Sequence, residues 1–311
     1  MASVGYGLSD VLSGTVVRRH STASLALAAQ VTGLAVLAAA AALRRPELSG
    51  PGVLWGLGAG AVGAVGVLSF YTALQRGRTS VVTPVAGAGV VLPVLAGVLR
   101  GDPLGWRSGL GVAAAVVGIA IVAVADGSEK APAGGVAARP VPGRAQPVPA
   151  ADGCVPAARE GSGRSSVWLA ALAAVAFGAF FIILEQATVR SALPGTEQGL
   201  LDVALVVALA VQVGALAVTV LAATRHTRAC LLPGRSLVLP ATAVGLLDVG
   251  ADLLVTLAVD RGPLAVVGPL ASLDPVVAVL VATVVLRERL RLVPALGVTV
   301  ALTGILLVAT G

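Results

Sequence analysis

The stretch Gln75-Arg76-Gly77-Arg78-Thr79-Ser80-Val81-Val82-Thr83-Pro84 returns later in the chain as Asp260-Arg261-Gly262-Pro263-Leu264-Ala265-Val266-Val267-Gly268-Pro269. Gly77 and Gly262 are 185 residues apart, as are Pro84 and Pro269. Further on, Gly111 and Gly297 are 186 apart, and so are Gly118 and Gly304. One inserted residue therefore separates two copies of a single pattern. Two half-length copies in a very apolar chain are the sequence mark of a secondary transporter.

The rest of the chain fits a bilayer. Of 311 residues, 57% are hydrophobic and only 12% are charged, against about 25% charged in soluble domains. A spanning helix needs roughly 20 apolar residues. Ten segments qualify, at about 2–17, 21–43, 52–75, 79–99, 106–125, 167–189, 199–223, 237–259, 263–285 and 292–310. Between the fifth and the sixth, residues 126–166 hold six prolines among Gly, Ala, Ser and charges, a composition that cannot bury a core and reads as a flexible linker. Five spans on each side force the two copies into opposite orientations. The expected fold is all-α: a polytopic membrane protein of ten transmembrane helices built as two inverted five-helix repeats, 1–125 and 167–311.

The first span is short. Aligning Tyr6-Gly7 with Phe177-Gly178 gives an offset of 171, so the first copy lacks about five residues of the sixth span. Met1-Ala2-Ser3-Val4-Gly5-Tyr6 has no basic region of the kind that opens a cleavable signal.

The net charge of +6 does not indicate a nucleic-acid partner, because the basic residues are scattered through short loops. Cys154 and Cys230 are too few for a disulfide framework. His20 and His226 have no ligand spacing around them, so no metal site is expected. No GxxxxGK[ST] motif is present, which argues against a nucleotide-driven pump. HExxH and GxSxG are also missing, so enzyme chemistry has no support and no cofactor is expected.

Inside the spans, Gly56 and Gly60 are four apart, and so are Gly101, Gly105 and Gly109. Small residues at this spacing let helix backbones approach closely. Gly111 with Gly118, and Gly297 with Gly304, lie two turns apart on one face and read as packing stripes. Trp55, Trp106 and Trp168 stand near span starts, as an aromatic belt at the headgroups would. Pro84 and Pro93 interrupt the fourth span, Pro269 and Pro275 the ninth. Matched, broken helices in the two copies point to the substrate site.

The basic residues fall in loops or at span edges, but six acids lie within spans: Asp10, Glu185, Asp202, Asp248, Asp252 and Asp274. An acid at a helix centre costs roughly 2.5–3.5 kcal/mol. Glu185 and Asp202 are near span ends, where a side chain reaches the interface. Asp10, Asp248, Asp252 and Asp274 fall near span centres and form the candidate substrate and proton-coupling set. Asp248 and Asp252, four apart, share one helix face and titrate as a coupled pair. The alternative is a pair hydrogen-bonded to Ser or Thr on a neighbouring helix. Asp274-Pro275 puts an acid at the break of the ninth helix. At the 185-residue offset, Asp248 matches Gly63 and Asp252 matches Val67; the first copy offers Asp10, Ser69 and Tyr71 instead. Acid within the spans, with no base, favours a proton, an amine or another cationic group.

Each copy resembles the EamA repeat of the drug/metabolite transporter superfamily. The likeness runs through Arg261-Gly262-Pro263 to Asp274-Pro275, Leu286-Arg287-Glu288-Arg289-Leu290, Gly297 and Gly304. In the first copy Ser69-Phe70-Tyr71-Thr72-Ala73-Leu74 fits the third-helix pattern, and Gly101-Asp102 stands where the family has Gly-Glu. Arg287 replaces the usual glycine before Glu288. The resemblance implies ten helices, both termini in the cytoplasm, and movement of small metabolites, often against a proton gradient. With that orientation the inner loops hold six basic residues (Arg44, Arg45, Arg100, Arg107, Arg190, Arg261) and the outer segments fifteen, the reverse of the positive-inside bias. Orientation therefore stays open.

The expectation is a multi-pass transporter of the cell membrane with a midplane cavity walled by spans one, three, four, six, eight and nine, Tyr71 among the wall residues. Its partners are a small-molecule substrate, a proton and the lipid bilayer; substrate, direction and oligomeric state, including a homodimer, are not read from the sequence. The rivals are an uncoupled facilitator or lipid-linked flippase, and a non-transporting scaffold or sensor whose interior is closed and whose acids are paired with Ser and Thr.

Overall fold

The computed structural model describes residues 1–17, 20–76, 85–101, 105–127, 163–191, 199–224, 235–271, 273, 276–277, 281 and 292–310. These residues form ten α-helices, and no strand occurs among them. They are α1 (Ala2–Val16), α2 (Thr22–Arg44), α3 (Gly50–Arg76), α4 (Val91–Leu99), α5 (Trp106–Gly127), α6 (Gly163–Ser191), α7 (Leu200–Ala223), α8 (Arg235–Val259), α9 (Leu264–Ala271) and α10 (Leu292–Thr310). Most edges fall within a few residues of the expected ones. Five stretches are long and apolar enough to cross a bilayer: Thr22–Arg44, Gly50–Ala73, Ser165–Ser191, Leu200–Ala223 and Ser236–Val259. Shorter apolar helical stretches lie at Val85–Leu99, Gly109–Gly118 and Ala295–Gly304.

Local chemistry explains several helix ends. The Ser24 N–H donates to the Ser21 hydroxyl at 3.1 Å and caps α2. Arg45 closes the same helix in a left-handed conformation (φ 51°), its N–H bonded to the Ala41 carbonyl at 2.7 Å. Gly101 (φ 86°) ends the turn after α4, where an L side chain would be strained. A Cβ placed on Gly101 or Gly109 would meet no atom within 4 Å. The close-packing role expected of these two glycines is therefore corrected: one serves a turn and the other faces open space.

Small residues are frequent in the interior, beside enclosed Leu25, Leu37, Leu184 and Leu237, and many large apolar side chains lie on the exterior. Ala59, Ala73, Ala115, Ala204 and Ala301 are fully enclosed, whereas Leu43, Leu54, Leu172 and Leu239 are exposed. A protein in water hides its leucines; in lipid there is no such gain, and close backbone packing drives association instead. Thr32, Thr72, Thr188 and Thr256 each bond a carbonyl four residues back in their own helix, so their hydroxyls need no water. Trp106 and Trp168 are 73% and 75% exposed at the starts of α5 and α6. Arg190 Cζ sits 4.7 Å from the centre of the Trp55 ring, a cation–π contact at a helix end.

The principal helix contacts join the segment before the linker to the segment after it: α3 with α6 and α7, α8 with α1 and α2, α5 with α10, α2 with α7, and α4 with α9. Exchange each helix for its counterpart five places along and the set maps onto itself. The glycines repeat this rule atom by atom. A Cβ on Gly118 would meet the Gly297 carbonyl and the Ala301 nitrogen; a Cβ on Gly304 would meet the Gly111 carbonyl and the Ala115 nitrogen. Gly60 lies against the Val211 carbonyl, and Gly245, 185 residues later, against the Ala29 carbonyl. The expected stripes at Gly56, Gly60, Gly118 and Gly304 thus are close helix contacts.

Salt links gather at one end of the bundle. Arg44 Nε lies 2.7 Å from Asp202 Oδ1, and Arg100 pairs with Glu185. The two acids near span ends are therefore charge-paired with arginines at helix termini, as an interfacial placement requires.

Candidate functional site

Asp248 and Asp252 project from one face of α8 towards α1. The Tyr6 hydroxyl donates to Asp252 Oδ1 at 2.6 Å, and Ser9 is a side-chain hydrogen-bond partner of Asp248. Tyr6 and Ser9 are three apart, hence one turn apart on α1, and meet the two acids in antiparallel register. The helices come this close because Gly5 carries no side chain: a Cβ there would lie 3.1 Å from both the Leu247 carbonyl and the Ala251 methyl.

Both acids line a cavity of about 250 Å³ in the middle of the bundle. Its first wall is α1 and α8, with Tyr6, Ser9, Asp10, Asp248 and Asp252. Its second wall is α3 and α6, with Phe70, Tyr71, Phe177, Phe180 and Phe181. Phe70 and Phe177 stack edge to face across these helices, ring centres 6.2 Å apart, and the neighbours Phe180 and Phe181 on α6 meet edge to face at 5.3 Å. Glycines Gly63 and Gly66 make room: a Cβ on Gly63 would stand 3.1 Å from the Phe180 ring, and one on Gly66 2.8 Å from Phe177.

The floor between the walls is a polar pair. Gln212 Nε2 donates to the Gln30 carbonyl at 2.9 Å. Gln30 Oε1 is buried with no hydrogen-bond partner among the described residues. Both glutamines line the cavity, and no Lys, Arg or His is among the described residues that do.

The candidate residues fall as follows. Asp248 and Asp252 are half-buried on the cavity wall. Tyr71 is on the wall, 8% exposed. Asp10 also lines the cavity, but its residue is exposed and not enclosed as a span centre suggested.

Pro93 lies in the first turn of α4. The turn Ala88–Val90 before it is 3₁₀, and Pro93 offers no N–H to the carbonyl of Gly89, four residues back, which accepts from the Val91 N–H instead. Gly89 borders the cavity and its carbonyl is close to Gly178. Pro269 lies inside α9, and a Cβ on the preceding Gly268 would stand 2.8 Å from the Pro93 ring. The two proline-bearing helices therefore touch. Pro84, Asp274, Pro275, Asp102, Arg287, Glu288, His226, both cysteines and almost all of 126–166 lie outside the described residues.

The wall is wider than the sequence suggested. Helices α2 and α7 contribute Ala29, Gln30, Val211, Gln212 and Ala215 in addition to the six expected spans. Gly60 and Gly245 admit the α7 and α2 backbones to that depth. Tyr6, Ser9, the glutamines and the four phenylalanines are not among the residues that the sequence singles out. A signal exists: the chain has only four Phe and two Tyr, and all six line this cavity. Pro240, inside α8, is a further proline within a helix, beyond the expected set.

The model of the EamA-like transporter family matches residues 1–124 and 164–310. No curated protein sequence matches this chain. A protein crystal structure is similar to it with a TM-score of 0.68 at 17% sequence identity, over 99% of this chain and 94% of that one. At such an identity the likeness shows the fold alone.

Proposed function

The chain belongs to the EamA-like transporter family, and from that membership we propose that it is a secondary active transporter of the plasma membrane. In this reading it has ten spans, in two five-helix repeats of opposite orientation, 1–125 and 167–311, joined by a linker at 126–166. The exchange rule among helix contacts supports the repeat. In that reading a half-turn about an axis in the membrane plane relates the contact α3–α6 to α8–α1 and α5–α10 to itself, and both members of the first pair occur.

The transported solute is a small metabolite or an amine-bearing cation, exported against entry of a proton. The observation that carries this is the central cavity, with Asp248 and Asp252 on its wall and no basic residue among those described there. A cavity near the centre of an inverted-repeat bundle is where such proteins bind substrate, and rocking of one repeat against the other exposes it alternately to the two sides. Asp248 and Asp252 carry the coupling proton: on proton arrival the acids release the cation, and on proton loss they bind it again. Tyr6 and Ser9 hold the carboxylates in place, and Asp10 and Asp274 add negative charge to the path. The cavity also argues against a scaffold: its acids are hydroxyl-paired, but the interior is not closed.

Proteoliposomes containing a pH-sensitive dye test the reading. Adding a panel of amines and neutral metabolites should evoke proton release for some member of the panel. Asp252→Asn and Asp248→Asn should abolish that flux while protein yield and insertion stay normal. Unchanged flux in both variants would remove the coupling claim.

A further inference from the structure

The two walls of the cavity differ in chemistry at matched positions. Ser9 corresponds to Phe180 and Asp10 to Phe181 at the 171-residue offset; Asp248 corresponds to Gly63 at the 185-residue offset. Where α1 and α8 pair a hydroxyl with a carboxylate (Ser9 with Asp248), α6 and α3 pack a ring on a glycine (Phe180 on Gly63). One architectural contact thus appears twice, once as acid and once as aromatic surface. The aromatic surface is concentrated: every Phe and Tyr in the 311-residue chain faces this one space. Random placement on ten apolar helices would spread six rings over lipid-facing and packing positions alike.

We propose that the cavity is a site for a monovalent arylalkylammonium ion held end to end, its ammonium against Asp248 and Asp252 and its apolar body on Phe177, Phe180 and Phe70. An ammonium group is compact, donates hydrogen bonds and is favoured by carboxylates and by ring faces shielded from water. A flat apolar body is favoured by the Phe rings and by the small residues Gly60 and Ala64 of α3 beside them. Solutes with a carboxylate find no cation to receive it among the described lining residues, and an unpaired charge in such a site is rejected. This separates a decarboxylated amine from the amino acid of the same side chain. Gln30 Oε1, unpartnered at the floor, is a further acceptor for an N–H donor. The inference rests on the transport reading for its biological sense, but not for its test.

Equilibrium binding to the purified full-length protein in detergent at pH 8, with no gradient, measures the site directly by calorimetry. The probes are 2-phenylethylamine, its neutral analogue 2-phenylethanol, the ring-free cation propylamine, and phenylalanine. Phenylethylamine should bind at least about tenfold tighter than each of the other three, the effect of losing a charge, a ring or electroneutral pairing in a shielded site. Phe177→Ala should narrow the gap between phenylethylamine and propylamine, and Asp248→Asn the gap between phenylethylamine and phenylethanol. The wild-type panel stands alone if a variant fails to fold. Equal binding of phenylethanol or phenylalanine, or no binding of phenylethylamine, overturns the proposal. Proton release evoked by an unrelated solute, with no phenylethylamine binding, would sink this inference and leave the transport reading in place. Phenylethylamine binding with no proton release from any member of the panel would leave this inference standing and remove the proton-coupled reading.

Discussion

At Gly60 the nearest foreign atom to a would-be methyl is the Val211 backbone carbonyl, and at Gly245 it is the Ala29 carbonyl. Neither carbonyl can move without shifting a helix, so a single added carbon forces α3 from α7, or α8 from α2. Gly60→Ala and Gly245→Ala should each lower stability by about 1–3 kcal/mol, the usual cost of overpacking. Gly109→Ala, in open space within α5, should be neutral or gain up to about 0.5–1 kcal/mol from helix preference. Thermal unfolding of the three variants in detergent checks the contrast; equal losses at all three sites would refute it. The Tyr6–Asp252 bond has its own test. Tyr6→Phe keeps the ring on the wall and removes the donor, leaving a carboxylate oxygen short of a partner. A loss of about 1–3 kcal/mol is expected, together with slower proton-linked flux; flux at the wild-type rate would show that the hydroxyl plays no part in holding the acid.

Among the elements, α4 carries its proline beside an irregular turn. Pro93 removes one donor, the turn Ala88–Val90 tightens to 3₁₀, and the backbone there borders the cavity. Pro93→Ala restores the donor and favours a straight helix. It also takes the proline ring away from Gly268, loosening the contact between α4 and α9. The expected outcome is wild-type yield with transport reduced severalfold, measured by proton release from proteoliposomes; unaltered transport would make the irregular turn a packing detail. Helix positions are legible in the sequence because apolar runs end at glycines, prolines and arginines: α10 is expected at 292–310 and lies there. The acid face of α8 is legible because Asp248 and Asp252 are rare charges at helical spacing. The aromatic wall is not, since Phe180 in an apolar helix looks like any lipid-facing residue until its neighbour Gly63 is known. Nor are α2 and α7 expected in the wall. Their approach depends on which glycine meets which carbonyl, and that pairing joins residues far apart in the chain, Gly60 with Val211 and Gly245 with Ala29.

For the whole molecule, the main contacts run between the parts on either side of the linker. The segment 1–127 meets itself only slightly: α2 touches α3, but α1, α3 and α5 each find their principal partner beyond residue 163. Among the described residues no buried cluster lies within 1–127 alone, and the cluster built by Phe181, Leu184, Val203, Val207 and Val255 beyond residue 163 is closed by Ala59 of α3. Coexpressed as separate chains, 1–127 and 163–311 should assemble and copurify, whereas either alone should be degraded or aggregate. Copurification through an affinity tag on one part decides it, and a stable, monodisperse single part would contradict this interlocked packing.

The same interlock sets a timetable for biosynthesis. A ribosome adds roughly 5–20 residues per second, so α3 waits on the order of ten seconds in the membrane before α6 and α7 emerge. During that interval the glycine groove around Gly56, Gly60 and Gly66 faces lipid or whatever insertase component is nearby. The nascent protein is therefore most exposed to mispairing midway through translation, and a slow stretch of codons in the linker would lengthen the hazard.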